Sequence, residues 1–190
     1  AMWKNNVDIA LSNGFRFSPP IVPGESGVAP ITRGDLWNML PVNEKVKIGK
    51  ASGQQIKDWL EKELHNVFAE NPNERFGGWV VRFSGMQLTF QAEAPKGERV
   101  QDVIIQGEPM ELDKLYTMSA CRREGEPIST LCRMPNTVET VVMDYTVHDL
   151  IEEYLAHFDT IAPVRDGRAV AADLGDNVLS QLPGTDYHFH

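Results

Sequence analysis

The run KVKIGKASGQQIKDWLEKELHNVF, residues 45–68, carries two periods in one stretch. Lys45, Val46, Lys47 and Ile48 alternate at period two, as a strand does. From Ser52 the period lengthens, and Ile56, Trp59, Leu60, Leu64, Val67 and Phe68 fall on one stripe of a helix. Ser52 with Gln55 three residues on forms a capping box, in which each side chain bonds the other residue's backbone N–H, so the spacing predicts a helix over Gly53–Phe68.

Upstream, Thr32 and Asp35 repeat the capping signature ahead of Leu36, Trp37, Met39 and Leu40, until Pro41 forbids further helix. Pro19, Pro20, Pro23, Gly24, Gly27 and Pro30 spell a long loop before it, and residues 7–11 read as a strand. Ala1 and Met2 read as an appended start to a piece cut from a longer chain. Downstream, Val81, Phe83, Met86, Leu88 and Phe90 alternate about Ser84-Gly85, and Val100, Val103 and Ile105 follow a turn at Pro95-Lys96-Gly97. Neighbouring antiparallel strands are expected there. Gly107-Glu108-Pro109 turns the chain again, and residues 116–120 and 138–143 are β-branched or aromatic enough for strands. Thr146 with Asp149 caps a last helix bearing Leu150, Ile151, Tyr154, Leu155 and Phe158, with its end expected at Pro163. Strands and helices mix without strict βαβ alternation. The expected class is therefore α+β, a mixed, largely antiparallel sheet packed with about three helices, in one domain over residues 1–174 with a tail at 175–190.

Of 190 residues 42% are hydrophobic and 24% charged, which excludes a disordered or collagen-like chain. The net charge of −9 disfavours a nucleic-acid polymer as partner but leaves room for a small anion at a local cluster of Arg. No stretch approaches the ~20 apolar residues of a membrane span, so no membrane insertion is expected, and residues 1–8 hold no export signal. Cys121 and Cys132 are too few for a thiolate zinc site and fit either a disulfide or two buried thiols.

Three segments have the chemistry to hold a polar anion. Asn13-Gly14-Phe15-Arg16 presents an amide, a guanidinium and a ring just after a strand; the plainer reading is a turn whose Arg pairs with a carboxylate. Arg82 lies in an apolar run between Gly77-Gly78 and Gly85, where glycines permit close backbone approach. It fits a ligand contact or a solvent-facing strand position. Cys121-Arg122-Arg123-Glu124-Gly125-Glu126 with Arg133 concentrates guanidiniums in an acidic chain, suiting a phosphate or carboxylate, or else a loop salt-bridged to its own Glu124 and Glu126. Asp186, His188 and His190 alternate at the C-terminus without the surroundings of a metal site, and His65, His148 and His157 read as surface or capping residues. No phosphate-binding loop, dinucleotide fingerprint or nucleophile elbow is present.

The order of short pieces carries a further signal. Residues 7–16, then Ile31-Thr32-Arg33-Gly34-Asp35-Leu36, Leu40-Pro41-Val42-Asn43 and residues 53–61 are followed by Phe83-Ser84-Gly85-Met86, Gly97-Glu98-Arg99-Val100, Gly107-Glu108-Pro109 and Leu115-Tyr116-Thr117-Met118. The series resembles the C-terminal domain of the 5'-nucleotidase family. The resemblance implies an α+β domain that binds the nucleoside, beside an N-terminal metallophosphoesterase domain holding two divalent metal ions. It implies that this chain needs no cofactor of its own, lacks catalytic residues and is inactive alone. Nucleotides or related phosphate esters are the implied substrates, and a periplasmic or extracellular location is implied for the full protein. Asn13 and Arg16 match the family's Asn-Gly-Gly-x-x-Arg turn with shorter spacing, Asn43 matches the Asn of its Pro-Phe-Gly-Asn segment, and Val42 stands where a base-stacking Phe is usual. The Phe-x-x-x-Gly-Gly-Asp-Gly loop is replaced by residues 121–127. Residues 77–82 and Phe15-Arg16 are similar to the related thiosulfohydrolases, whose substrate is a sulfur-bearing anion. A stand-alone anion-binding module is the alternative from a different class. The expected binding residues are Asn13, Arg16, Asn43, Arg82, Gly85, Arg122 and Arg123.

Overall fold

The computed structural model describes residues 2–12, 20–76, 82–162, 164 and 166–174. A short helix, α1 (Met2–Asn5), precedes β1 (Ile9–Ser12), so Met2 belongs to the fold. After the loop come α2 (Arg33–Met39), β2 (Lys45–Ser52) and α3 (Gly53–Phe68), then β3 (Arg82–Ser84), β4 (Met86–Phe90), β5 (Val100–Ile105) and β6 (Glu108–Pro109). The chain continues with β7 (Leu115–Cys121), β8 (Val138–Thr146), α4 (Val147–Leu155) and β9 (Ala169–Ala171).

The strands form two mixed sheets where one was expected. One has the order β3-β1-β7-β2-β8 with β1 and β7 parallel, the other β6-β5-β4-β9 with β4 and β9 parallel. Of the neighbouring antiparallel strands expected here, β4 and β5 do pair, but β3 on the other side of Ser84-Gly85 pairs with β1 instead of β4. Gly85 is a corner between sheets, with φ +87° and a position where a Cβ would lie 2.1 Å from the Asp8 carbonyl oxygen. Phe83 and Met86 on its two sides are both buried in one shared core, so the apolar pattern runs through the corner unbroken.

All three longer helices open with capping boxes, at Thr32/Asp35, Ser52/Gln55 and Thr146/Asp149. At α3 the free N–H groups of the first turn also find backbone carbonyls, Gly53 that of Lys114 at 3.0 Å and Gln54 that of Leu112 at 2.9 Å. The α4 helix ends at Leu155, short of Pro163, which lies outside the described residues. His157 Nδ1 bonds the Glu153 carbonyl at 2.7 Å, while the His157 and Phe158 N–H groups reach back only three residues, tightening the last turn.

The apolar stripe of α3, with Ile56, Trp59, Leu60 and Leu64, meets Ile9, Leu11, Met118, Leu88 and Phe90 from both sheets in one core. Glu61 extends that stripe as a buried connector. Its carboxylate accepts from the Arg99 N–H at 3.1 Å and the Val100 N–H at 2.6 Å, tying α3 to the start of β5.

Candidate ligand-binding site

The five-stranded sheet has one end at which several candidate residues meet. Parallel β1 and β7 both leave the sheet there, β2 and β3 enter it, and β8 ends at it. In register, Arg82 lies opposite Ser12, Cys121 opposite Val46, and Lys45 opposite Thr146. Arg122 follows directly, its N–H donating to the Lys45 carbonyl at 2.7 Å. Strands lie ~4.8 Å apart, so two strand spacings put Arg82 and the end of β7 about 10 Å apart at the backbone.

Arg82 and Arg122 are both exposed, and no carboxylate among the described residues pairs with either. The other cations here are engaged. Lys45 bonds Asp144 at 2.8 Å and thereby holds that carboxyl below its ordinary range. Exposed Arg123 stands 3.8 Å from half-buried Glu126, a loose pair. Asn43 reaches the same end from the α2–β2 connection. Its side-chain oxygen accepts from the His148 N–H at 2.9 Å, and the Val147 N–H donates to the Glu44 carbonyl at 3.0 Å, docking the start of α4 on this edge.

Of the surface or capping roles expected from sequence, His148 takes the second: it is buried, and its ring caps the end of α2 at the α2–α4 junction. Its Nε2 lies 2.8 Å from the Leu40 carbonyl, an acceptor only, so that nitrogen carries the proton. The half-exposed Trp37 ring packs edge-on against it with centroids 4.4 Å apart. His65 is likewise structural, between Glu74 at 2.7 Å and Arg99 at 3.3 Å. These contacts line a cleft of about 1000 Å³ between the end of α3 and the β4–β5 turn, where Arg99 also bonds the Ala92 and Phe68 carbonyls.

Of the expected binding residues, Asn43, Arg82, Arg122 and Arg123 are therefore brought to one sheet end. Gly85 sits at the opposite end of β3 from Arg82, packed on Asp8 and Met2. Asn13 and Arg16 lie outside the described residues, as do residues 77–81, the C-terminal Asp186, His188 and His190, and the Cys121 side chain on which a disulfide would depend. Among the described residues no three His, Cys, Asp or Glu side chains gather as a metal site.

Lys47 escaped the sequence reading. Alternation marks it as one of a row of strand lysines, yet it is 1% exposed, and its ammonium bonds the carbonyls of Pro127, Ile128 and Thr130. Its only signal is Gly49 two residues on, where a Cβ would come within 2.9 Å of Thr140 and 3.0 Å of Leu131, marking that face as covered.

Two mixed sheets sharing a core with one amphipathic helix define an α+β domain. Residues 1–120 match the family model of the 5'-nucleotidase C-terminal domain, and the chain belongs to that family. It is 32% identical over 98 residues to the trifunctional nucleotide phosphoesterase protein YfkN of Bacillus subtilis (strain 168), spanning 52% of this chain and 6% of that protein. Two solved structures share the fold. The sulfate thiohydrolase SoxB of Thermus thermophilus, in complex with glycerol, superposes with TM-score 0.70 at 22% identity, over 91% of this chain and 30% of that one. A 5'-nucleotidase precursor from the same species gives 0.66 at 21% identity, over 90% and 33%. The chain thus spans about a third of these solved proteins and far less of the curated relative. No helix among the described residues is long and apolar enough to cross a membrane.

Proposed function

We propose that this chain is the substrate-binding half of a two-domain, metal-dependent hydrolase that acts on nucleotides or related phosphate esters. Family membership supports the class of enzyme. The observation that carries the ligand assignment is the pair of exposed guanidiniums, Arg82 and Arg122, with no carboxylate partner among the described residues, about two strand spacings apart in a chain of net charge −9. Each is a charge-assisted donor for an oxyanion, and Asn43 and Arg123 flank them. Asn13 and Arg16, which follow β1 in the chain, complete the proposed contact set, and Gly85 contributes through the sheet corner instead of ligand contact. The two divalent ions belong to a preceding metallophosphoesterase domain, and the full protein works in the periplasm or outside the cell.

Exposed Val42 favours a second substrate class. An aliphatic side chain offers a base no ring to stack on, which suits a small sulfur-bearing oxyanion as in the thiosulfohydrolases. Calorimetric titration of the chain with AMP, thiosulfate and inorganic phosphate separates the readings. AMP binding that Arg82→Ala and Arg122→Ala each weaken about tenfold supports the nucleotide class. Thiosulfate binding with the same sensitivity supports the second, and binding of none of the three overturns both.

A further inference from the structure

Residues 122–126, the span with exposed Arg122 and Arg123, are fastened to β2 at both ends. At the start, the Arg122 N–H donates to the Lys45 carbonyl at 2.7 Å. At the far end, Lys47 donates to the carbonyls of Pro127 at 3.2 Å, Ile128 at 3.3 Å and Thr130 at 2.5 Å. Between them, the Glu126 N–H closes a turn on the Arg123 carbonyl at 3.2 Å.

The segment beyond is held from behind by α3. Trp59 Nε1 donates to the Cys132 carbonyl at 3.0 Å, Gln55 Nε2 to that of Asn136 at 3.0 Å, and Arg133 pairs with buried Glu63. Leu131 and Met134 are buried in the core beneath. A buried ammonium is stable only with its donors engaged, and carbonyls that receive it lose their partner when it is removed. Lys47 therefore fixes where the loop begins its anchored half, and hence the path of the five residues before it.

We propose that Lys47 is a positioning residue of the anion site: its buried ammonium presets the 122–130 loop so that Arg122 stands ready for the ligand. Lys47 is too deeply buried to touch that ligand, and it acts by sparing the ordering cost of the loop at the moment of binding. The inference rests on the reading of this sheet end as an anion site.

A double-mutant cycle tests it. The unsubstituted chain, Lys47→Met, Arg122→Ala and the double variant are titrated with AMP, thiosulfate and inorganic phosphate. Lys47→Met is expected to weaken the bound anion about tenfold and to abolish the further effect of Arg122→Ala, while Arg82→Ala still weakens the Lys47→Met variant by its usual factor. Lys47→Arg, with charge and donors retained, is expected to restore most of the affinity and the dependence on Arg122. A folded Lys47→Met variant that binds as the unsubstituted chain does, or losses that multiply with Arg122→Ala, would overturn the proposal.

Amide exchange on the unsubstituted chain tests whether the loop is preset even if Lys47→Met does not fold. The Arg122, Glu126 and Thr130 amides are expected to be protected before any anion is added. Unprotected exchange that slows only with anion bound sinks the inference. If the unsubstituted chain binds none of the three anions, the site reading itself falls and this inference with it; if it binds and Arg122→Ala weakens it, that reading stands and the Lys47 variants together with the amide exchange decide.

Discussion

Glu63 lies fully buried on α3 with Arg133 as its ion-pair partner, and its second carboxylate oxygen makes no hydrogen bond among the described residues. Burial pushes its carboxyl above the ordinary value, against the opposing pull of Arg133 and Lys62. Between the ordinary and the raised value the folded chain holds a proton that the unfolded chain has lost, so this residue makes stability fall as pH rises through that window. Glu63→Gln stays neutral throughout, and denaturant melts between about pH 4 and pH 8 are expected to show a flatter profile for it. Parallel profiles for the two proteins count against the assignment. Gly53 gives a second residue-level expectation. A Cβ there would sit 2.3 Å from the Glu111 carbonyl oxygen, a backbone atom that cannot swing aside. Gly53→Ala is expected to cost about 2–3 kcal/mol by urea unfolding, as an overpacked core site does.

Each longer helix starts with the same reciprocal cap, yet the three differ in what depends on them. At α3, Ser52 accepts the Gln55 N–H at 3.2 Å, and the helix behind it supplies much of the core. Ser52→Ala is expected to lower global stability by about 1 kcal/mol, measured in denaturant. At α2, where Leu36 alone is buried, Thr32→Ala is expected to raise local amide exchange with little change in the global midpoint. The capping carboxylates Asp35 and Asp149 are held below their ordinary range chiefly by bonds from Thr32 and Thr146. Their contribution is present above the ordinary aspartate value and is lost as pH falls through the lowered one. Helical signal from α2 and α4 should therefore decline in acid before that of α3, whose box uses Gln55 and does not titrate. Simultaneous loss in residue-resolved measurements would contradict this.

At the level of the whole chain, the described residues supply donors for an anion and no assembled metal cluster. With added magnesium or manganese the chain alone is expected to leave AMP uncleaved, while a bound anion raises its thermal midpoint. At a hundred times the dissociation constant the gain is about 2.7 kcal/mol. Ester cleavage by the purified chain would place the chemistry here and overturn the division of labour between two domains.

The periodic elements were legible because their causes are local. Capping boxes, the apolar stripe of α3 and the Pro-rich loop depend on residues within a few positions of one another, and they appear where expected. Arg82 and Arg122 were legible as cations in an acidic chain, and the ordered short motifs carried the family. What depended on tertiary structure is contact between distant segments. Alternation records only which side chains are buried, so it could neither detect that Gly85 turns the chain into a second sheet nor distinguish Lys47, closed in by residues 127–130, from the solvent-facing lysine a strand usually carries. The meeting of Arg82 with the ends of β1 and β7 was set by pairing of strands far apart in the chain, Ser12 with Arg82 and Ile9 with Met118, because register is decided by how complete sheets pack and not by neighbours in sequence.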